Sequence, residues 1–238
     1  MSIRLDGTLV TTTMRTPGHD YELAVGFCFT EGLLGGVAVD GVRYCAEGSA
    51  VDSRFNVVAV ETGGRAPAPT PRLGNTSSSC GWCGSEQLDD LTARLEPIPA
   101  TEPIPLDVLG AVPTAVSGGQ GLFETTGSVH AAAVFDDEGL VLATREDVGR
   151  HNAVDKIVGA MVLGMAGLPA LPASGLGLFV SGRASIEMVQ KAWAAGFSTL
   201  VSVSAPTALA VDAARRAGLQ LAGFVRGDEF NVYAPERL

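Results

Sequence analysis

Lysine is almost missing from this sequence: of 238 residues only Lys156 and Lys191 are lysines, and the remaining basic residues are arginines. Charge of any kind is sparse at 18%, and its balance is acidic, with a formal net charge of −10 and a pI near 4.7. Such a chain repels a phosphate backbone, which excludes a general nucleic-acid role. An anionic ligand would have to be met locally, by arginines or helix N-termini. No apolar stretch at the start resembles a signal peptide, so the chain reads as cytoplasmic. Cysteine is also scarce. Four residues, Cys28, Cys45, Cys80 and Cys83, do not make a disulfide scaffold in a chain of this length.

Hydrophobic residues make up 46%, a globular rather than a disordered composition. The length allows one large domain or two modest ones. Residues 157–182 carry no charged side chain, enough in number to span a bilayer. Pro169 and Pro172, with Gly167, Ser174, Gly175 and Gly177, interrupt the run. It therefore reads as a helix ending near Met165, a loop and a buried strand, and not as a membrane span.

Along the chain, residues 3–10 read as a hairpin turning on Asp6-Gly7, and His19-Asp20 opens a helix. A Val-rich strand covers 54–61. The first strand begins almost at residue 1, an early start for the chain. Residues 62–85 change character: paired glycines, three prolines and the run Asn75-Thr76-Ser77-Ser78-Ser79 compose a long, mobile loop. A short helix over 86–95 follows, then a Pro-rich connection over 97–105 that marks a boundary. The expected units are an N-terminal α+β subdomain over 1–100, ending in the loop at about 62–85, and an α/β domain over 101–238. In the second unit, a hairpin over 129–144 precedes alternating helices and strands: 151–165, 176–180, 185–195, 199–203, 207–217 and 219–225. Short apolar strands between helices imply a sheet with helices on both faces.

Three segments could carry chemistry. The first is Cys80-Gly81-Trp82-Cys83 at the far end of the long loop. A thioredoxin-like pair should open a helix directly after a strand, which this one does not. A zinc site would need two further ligands, and Cys28, between Phe27 and Phe29 on a helix, looks buried. A sulfur-carrying thiol needs an accessible loop and a lowered pKa, which nearby glycines and a helix N-terminus near Ser85 favour. A zinc deaminase is excluded in chemistry, because His130-Ala131-Ala132 lacks the catalytic Glu and the Cys pair precedes the His. The second segment, 145–156, is a strand-to-helix transition. Its Asp147, His151 and Asp155 recur at four-residue spacing, as either a ligand or proton-handling cluster or an ion-paired helix start. The third is the turn 181–185 around Gly182 and Arg183, a strand end meeting a helix N-terminus, with a similar turn at Ser204-Ala205-Pro206-Thr207.

Taken in order, these segments resemble the FdhD family. The resemblance rests on Arg15-Thr16-Pro17-Gly18, on residues 22–27 with Glu31-Gly32, and on Ser79-Cys80-Gly81-Trp82-Cys83-Gly84. It continues through 126–132, 145–156, 181–190, 204–207 and 223–233. It implies an accessory sulfurtransferase of formate dehydrogenase that takes sulfur from a cysteine desulfurase as a persulfide. The acceptor would be the molybdenum (or tungsten) bis-pterin guanine dinucleotide cofactor, bound as substrate, with no permanently held metal. The implied fold is cytidine-deaminase-like, a three-layer sheet without zinc chemistry beside the smaller N-terminal subdomain. The implied partners are the desulfurase, the formate dehydrogenase catalytic subunit and a second copy of the chain, with neither nucleic acid nor membrane. The first Cys of the family's pair maps to Cys80 and the second to Cys83. The cofactor-binding segment maps to Phe224, Val225, Arg226, Gly227, Asp228 and Glu229. On physical grounds Arg183, Arg226 or Arg150 would meet the cofactor's phosphates, and His151 would join the site. Family members begin some tens of residues earlier than this chain. The rival reading is a non-enzymatic cofactor chaperone or zinc-binding module using the Cys pair, with a thiol–disulfide oxidoreductase third.

Overall fold

The structure is a computed structural model that describes residues 1–44, 49–68 and 84–235; for residues 84–87 and 166 only the backbone is described. Two mixed sheets and seven helices make up the described fold.

The smaller sheet has the order β2-β1-β4-β3, from β1 (Ser2–Leu5), β2 (Thr8–Thr12), β3 (Gly41–Tyr44) and β4 (Val57–Glu61). Asp6 (φ 45°) and Gly7 (φ 84°) form the expected turn between β1 and β2. Two successive positive φ values match the right-handed twist of the strands they join. Helix α1 (Asp20–Thr30) covers this sheet, burying Ala24, Val25 and Cys28 against Ile3, Leu5, Val58 and Val60.

The larger sheet has the order β10-β9-β8-β7-β5-β6. Its strands are β5 (His130–Phe135), β6 (Val141–Asp147), β7 (Gly177–Val180), β8 (Thr199–Ser202), β9 (Gln220–Arg226) and β10 (Glu229–Ala234). Strands β7, β8 and β9 run parallel, and β6 and β10 are antiparallel margins. All four residues of β7 and of β8 are buried, as expected of central strands covered on both faces. Alternate residues point to different cores. Ala132, Val134, Leu178, Val180, Leu200 and Leu221 face α5 (Arg150–Val162), α6 (Ile186–Ala195) and α7 (Ala208–Ala217). Ala133, Phe135, Phe179, Val201 and Ala222 face α3 (Leu106–Ser117). Each fully buried Leu, Val or Phe contributes about 1.5–3 kcal/mol.

The expected elements of the second half appear within a few residues of their predicted bounds. Helix α2 (Gly84–Arg94) also appears and packs Leu88 and Leu91 into the core shared with α7. Three elements add to the sequence reading: β3, α3 and the short α4 (Gly121–Thr126). The charge-free run divides as expected into the end of α5, a 3-10 turn at Met165–Gly167, a loop and β7. Among the described residues no helix is long and apolar enough to cross a membrane.

The two sheets are joined through α1 and α5, which meet backbone to backbone. A Cβ added to Gly26 would overlap the carbonyl oxygen of Asp155, and one added to Gly159 would overlap that of Glu22. A carbonyl within a helix cannot swing aside as a side chain can. Gly159→Ala should therefore lose about 3 kcal/mol or more, at or above the usual overpacking range. Gly118→Ala is the control: Gly118 has open space around its missing Cβ and sits at φ −63°, so it should change stability by less than about 1 kcal/mol. Urea denaturation of both variants checks the contrast.

Candidate functional site

At the carboxyl ends of β7, β8 and β9 three turns are stitched into one ridge. Residues 181–185 join β7 to α6, residues 203–207 join β8 to α7, and residues 227–228 join β9 to β10. Ser202 Oγ donates to Gly182 O at 2.7 Å and receives Ser204 N at 3.1 Å. Thr207 N donates to Ala184 O at 3.0 Å, and Phe224 N donates to Ser204 O at 3.1 Å. The first turn is tied to the neighbouring strand by Ala131 N, which donates to Ser181 Oγ at 2.8 Å. In an open sheet with parallel strands this edge is where ligands bind.

The ridge turns several side chains outward. Phe224 holds a left-handed backbone, φ 57°, with its side chain exposed. The β9–β10 register shifts beside it, and such bulges re-aim side chains at functional edges. Gly223 permits this, because a Cβ there would stand 2.8 Å from Pro206 Cδ. Arg226, Gly227, Asp228, Glu229 and Arg183 are also exposed. Val225 is fully buried in the core beneath, so its side chain faces away and only its backbone borders the ridge. The expected segment 224–229 and Arg183 thus share one edge of the sheet.

Segment 145–156 stands beside that edge, and its bonding differs from the sequence expectation. Asp147 ends β6 and does not share a helix face with His151. Its carboxylate pairs with Lys156 Nζ at 2.8 Å and accepts Asn152 Nδ2, Gly149 N and Thr16 N. One turn further along α5, Asp155 is held by Lys191 Nζ at 2.9 Å and by Thr30 Oγ1 at 2.7 Å. Lys191 also reaches Glu31 at 3.2 Å. Both lysines of the chain are therefore buried and ion-paired. Burial raises the Asp155 carboxyl to about 6 against the pull of Lys191. Glu22, in the first turn of α1, is gripped by both Arg145 Nε at 2.6 Å and Nη2 at 2.9 Å, and lies 3.1 Å from His19 Nδ1.

Three histidines and one cysteine are described. His151 opens α5, where burial lowers its pKa to about 4, with Lys191 and Arg150 adding to the effect. His130 lies 3.5 Å from Ser181 Oγ, and its pKa is lowered by burial and then by Arg150. Neutral imidazoles therefore line this side of the edge at pH 7. Cys28 is buried under α1 and its thiol is pushed up to about 12, which makes it inert as a nucleophile. Cys80 and Cys83 lie outside the described residues, as does Cys45. Sequence reasoning missed Ser202, whose hydroxyl ties two of the turns together; Ser181, which holds the first turn to β5, lies inside the turn 181–185 that the sequence singled out.

The FdhD/NarQ family pattern matches residues 1–238. A sulfur carrier protein FdhD from Anaeromyxobacter dehalogenans is 45% identical over 243 residues, covering 98% of this chain and 84% of that protein. One from Streptomyces avermitilis is 46% identical over 246 residues, covering 99% and 85%. The crystal structure described as a formate dehydrogenase accessory protein from Desulfotalea psychrophila superposes with a TM-score of 0.76. It is 24% identical, and the match spans 100% of this chain and 87% of that one. This last likeness shows that the two share a fold.

The His151 environment predicts a pH dependence. Its pKa is about 4 in the fold against 6.5 for a free side chain, so the fold favours the neutral ring. The associated stability is complete above pH 6.5 and is lost as the pH falls towards 4. Between pH 7.5 and 5.5, still above the pI, wild type should lose about 1 kcal/mol relative to His151→Gln, which cannot titrate. Paired urea titrations at the two pH values measure this difference.

Proposed function

The chain belongs to the FdhD/NarQ family, and from that premise we propose that it is a sulfur carrier serving formate dehydrogenase. The observation that carries the reading is the match over nearly the whole chain to proteins called sulfur carrier protein FdhD.

In this reading Cys80 is the carrier. Its thiolate attacks the outer sulfur of a persulfide held by a cysteine desulfurase. A new S–S bond forms on Cys80, the donor's S–S bond breaks, and the donor cysteine leaves as a thiolate and takes up a proton. The S–S bond on Cys80 then breaks: its outer sulfur passes to the molybdenum or tungsten bis-pterin guanine dinucleotide cofactor, the substrate that accepts it, whose reduced metal centre supplies the two electrons that make it a sulfide, and Cys80 is left as a thiol. Of the four cysteines, Cys28 is unsuited to the task by burial and a thiol near 12. Cys83 sits beside Cys80 in the sequence as the second member of the pair.

The strand-end ridge is the cofactor-binding edge. Phe224, Arg226, Gly227, Asp228 and Glu229 offer it side chains or open backbone, Val225 offers backbone, and Arg183 and His151 stand on the neighbouring turn and helix. With both lysines engaged in buried pairs, arginines must balance the cofactor's phosphates against a net charge of −10. The three layers of the larger sheet we read as a cytidine-deaminase-like arrangement put to different chemistry. A homodimer that docks in turn on the desulfurase and on the formate dehydrogenase catalytic subunit completes the proposal.

Incubation with a cysteine desulfurase and cysteine should add one labile sulfur to the wild-type chain, visible by intact-protein mass spectrometry. Cys80→Ala should take up none. Retention of the labile sulfur by Cys80→Ala would overturn the assignment. Stoichiometric zinc on the Cys pair, with no sulfur uptake, would point instead to a chaperone or zinc-binding module.

A further inference from the structure

Away from the ridge, the middle and end of α6 border an open groove of about 790 Å³. Its other walls are the end of α1, the segment 32–39, α2 and the end of α5. Leu34, Val39, Leu91, Leu95, Met161 and Leu171 make it mostly apolar. An apolar lining with a few placed polar groups is the ordinary composition of a binding site. The most telling polar group here is Gln190, which lines the groove and is only 7% exposed. Among the described residues its side-chain amide has no hydrogen-bond partner. The amide is not one of the fully enclosed orphan atoms, so the little surface it keeps opens on the groove. Native structures complete such groups from outside the chain.

The charges around the groove select its occupant. Arg94 is tied to Asp90 at 3.3 Å, and Lys191 is held by Glu31 at 3.2 Å and by Asp155 at 2.9 Å. One ammonium against two carboxylates leaves that wall no positive charge to spare, so a phosphate or a fatty acid finds no counter-ion. Gln190 suits a neutral group that both donates and accepts, because its own amide does both. The peptide group of an extended chain is that complement, and apolar side chains beside it match the remaining walls. Position then selects the protein that brings the chain. Pro67 packs on the rim at Gly35, where a Cβ would come 2.5 Å from Pro67 Cγ. Another wall is α2, which begins at Gly84. Residues 69–83, which contain Cys80 and Cys83, therefore leave the described fold beside one rim and rejoin it through the helix that forms a wall.

We propose that this groove is the surface on which the sulfur donor docks, taking an extended, uncharged apolar segment of the cysteine desulfurase against Gln190. The inference rests on the sulfur-carrier reading and adds where the donor is held. A protein that hands a persulfide to Cys80 needs an anchor near the Cys80 stretch that is not made from it. The groove supplies one from the packed helices α1, α2, α5 and α6. A donor held there presents its persulfide at a high effective concentration, so transfer no longer waits on free encounter.

The test is sulfur loading of the full chain at a series of desulfurase concentrations, read by intact-protein mass spectrometry. Ala194→Phe fills the groove from a half-buried wall position, and Ala38→Trp obstructs it from an exposed rim position. Each should raise the apparent KM for the desulfurase about tenfold, and Gln190→Leu about fivefold, with kcat little changed. Inorganic polysulfide gives up a terminal sulfur to the Cys80 thiolate with no docked protein, and its loading should run at the wild-type rate in all three variants. An unchanged KM in folded Ala194→Phe and Ala38→Trp would overturn the docking surface, and a change of solution mass in the same variants would then assign the groove to a contact between two copies of the chain. Desulfurase binding is scored separately by calorimetry. If wild type takes up no sulfur yet binds the desulfurase, and Ala194→Phe weakens that binding about tenfold, the carrier reading falls and the docking surface stands.

Discussion

Everything in this structure hangs on one close approach, the crossing of α1 and α5 where Gly26 and Gly159 let two backbones touch. Because the helices meet without intervening side chains, polar groups at either end of the crossing come within bonding distance. Thr30 and Glu31 from the end of α1 reach Lys191 and Asp155, while Glu22 from its start reaches Arg145 on β6. These buried pairs add little net stability in themselves, since the desolvation of each charge offsets most of the attraction. They are costly to break, however, and so fix the register between the two sheets. The order of dependence runs from glycine spacing, to helix contact, to ion pairs, to the placement of α5 and α6 beside the strand ends.

The strand-end ridge inherits its shape from that placement. Asp147 and Lys156 secure the start of α5, and Ser202 and Ser181 secure the turns. The groups left over are then displayed: an aromatic ring on a left-handed residue, exposed arginines, and imidazoles kept neutral by burial. For an acidic protein, this is an economical way to create a locally receptive edge for an anionic ligand. The positive charge is concentrated in a few arginines, and the helix termini add theirs without changing net charge.

Much of this was legible in the sequence. Alternation of short apolar runs with helical segments located β7 to β9 and α5 to α7, because burial on both faces makes central strands mostly apolar. Asp6-Gly7 located the first hairpin through its demand for positive φ. What escaped did so for identifiable reasons. Helix α3 carries Gly110 and Pro113, which read as breakers. Yet Gly110 is needed because the carbonyl of Gly227 lies where a Cβ would be, 2.6 Å away. Tertiary packing overrode local propensity there. Asp147, His151 and Asp155 stood out in the sequence by their four-residue spacing, and the two carboxylates are ion-paired. Spacing alone could not show that Asp147 belongs to a strand and that distant Thr16, Thr30 and Lys191 decide the pairing. The family resemblance located 224–229, while the burial of Val225 and the αL backbone of Phe224 needed coordinates.

The engagement of both lysines has a practical consequence for anyone seeking this protein's partners. With Lys156 and Lys191 each almost fully buried, the folded surface offers no side-chain amine. Apart from the α-amine of Met1, amine-directed cross-linkers, labels and surface-coupling chemistries find no target on it, and a nearly empty cross-linking map would say nothing about whether a complex had formed. Carboxylate- or arginine-directed reagents suit this surface, which is acidic and whose free cations are guanidinium groups.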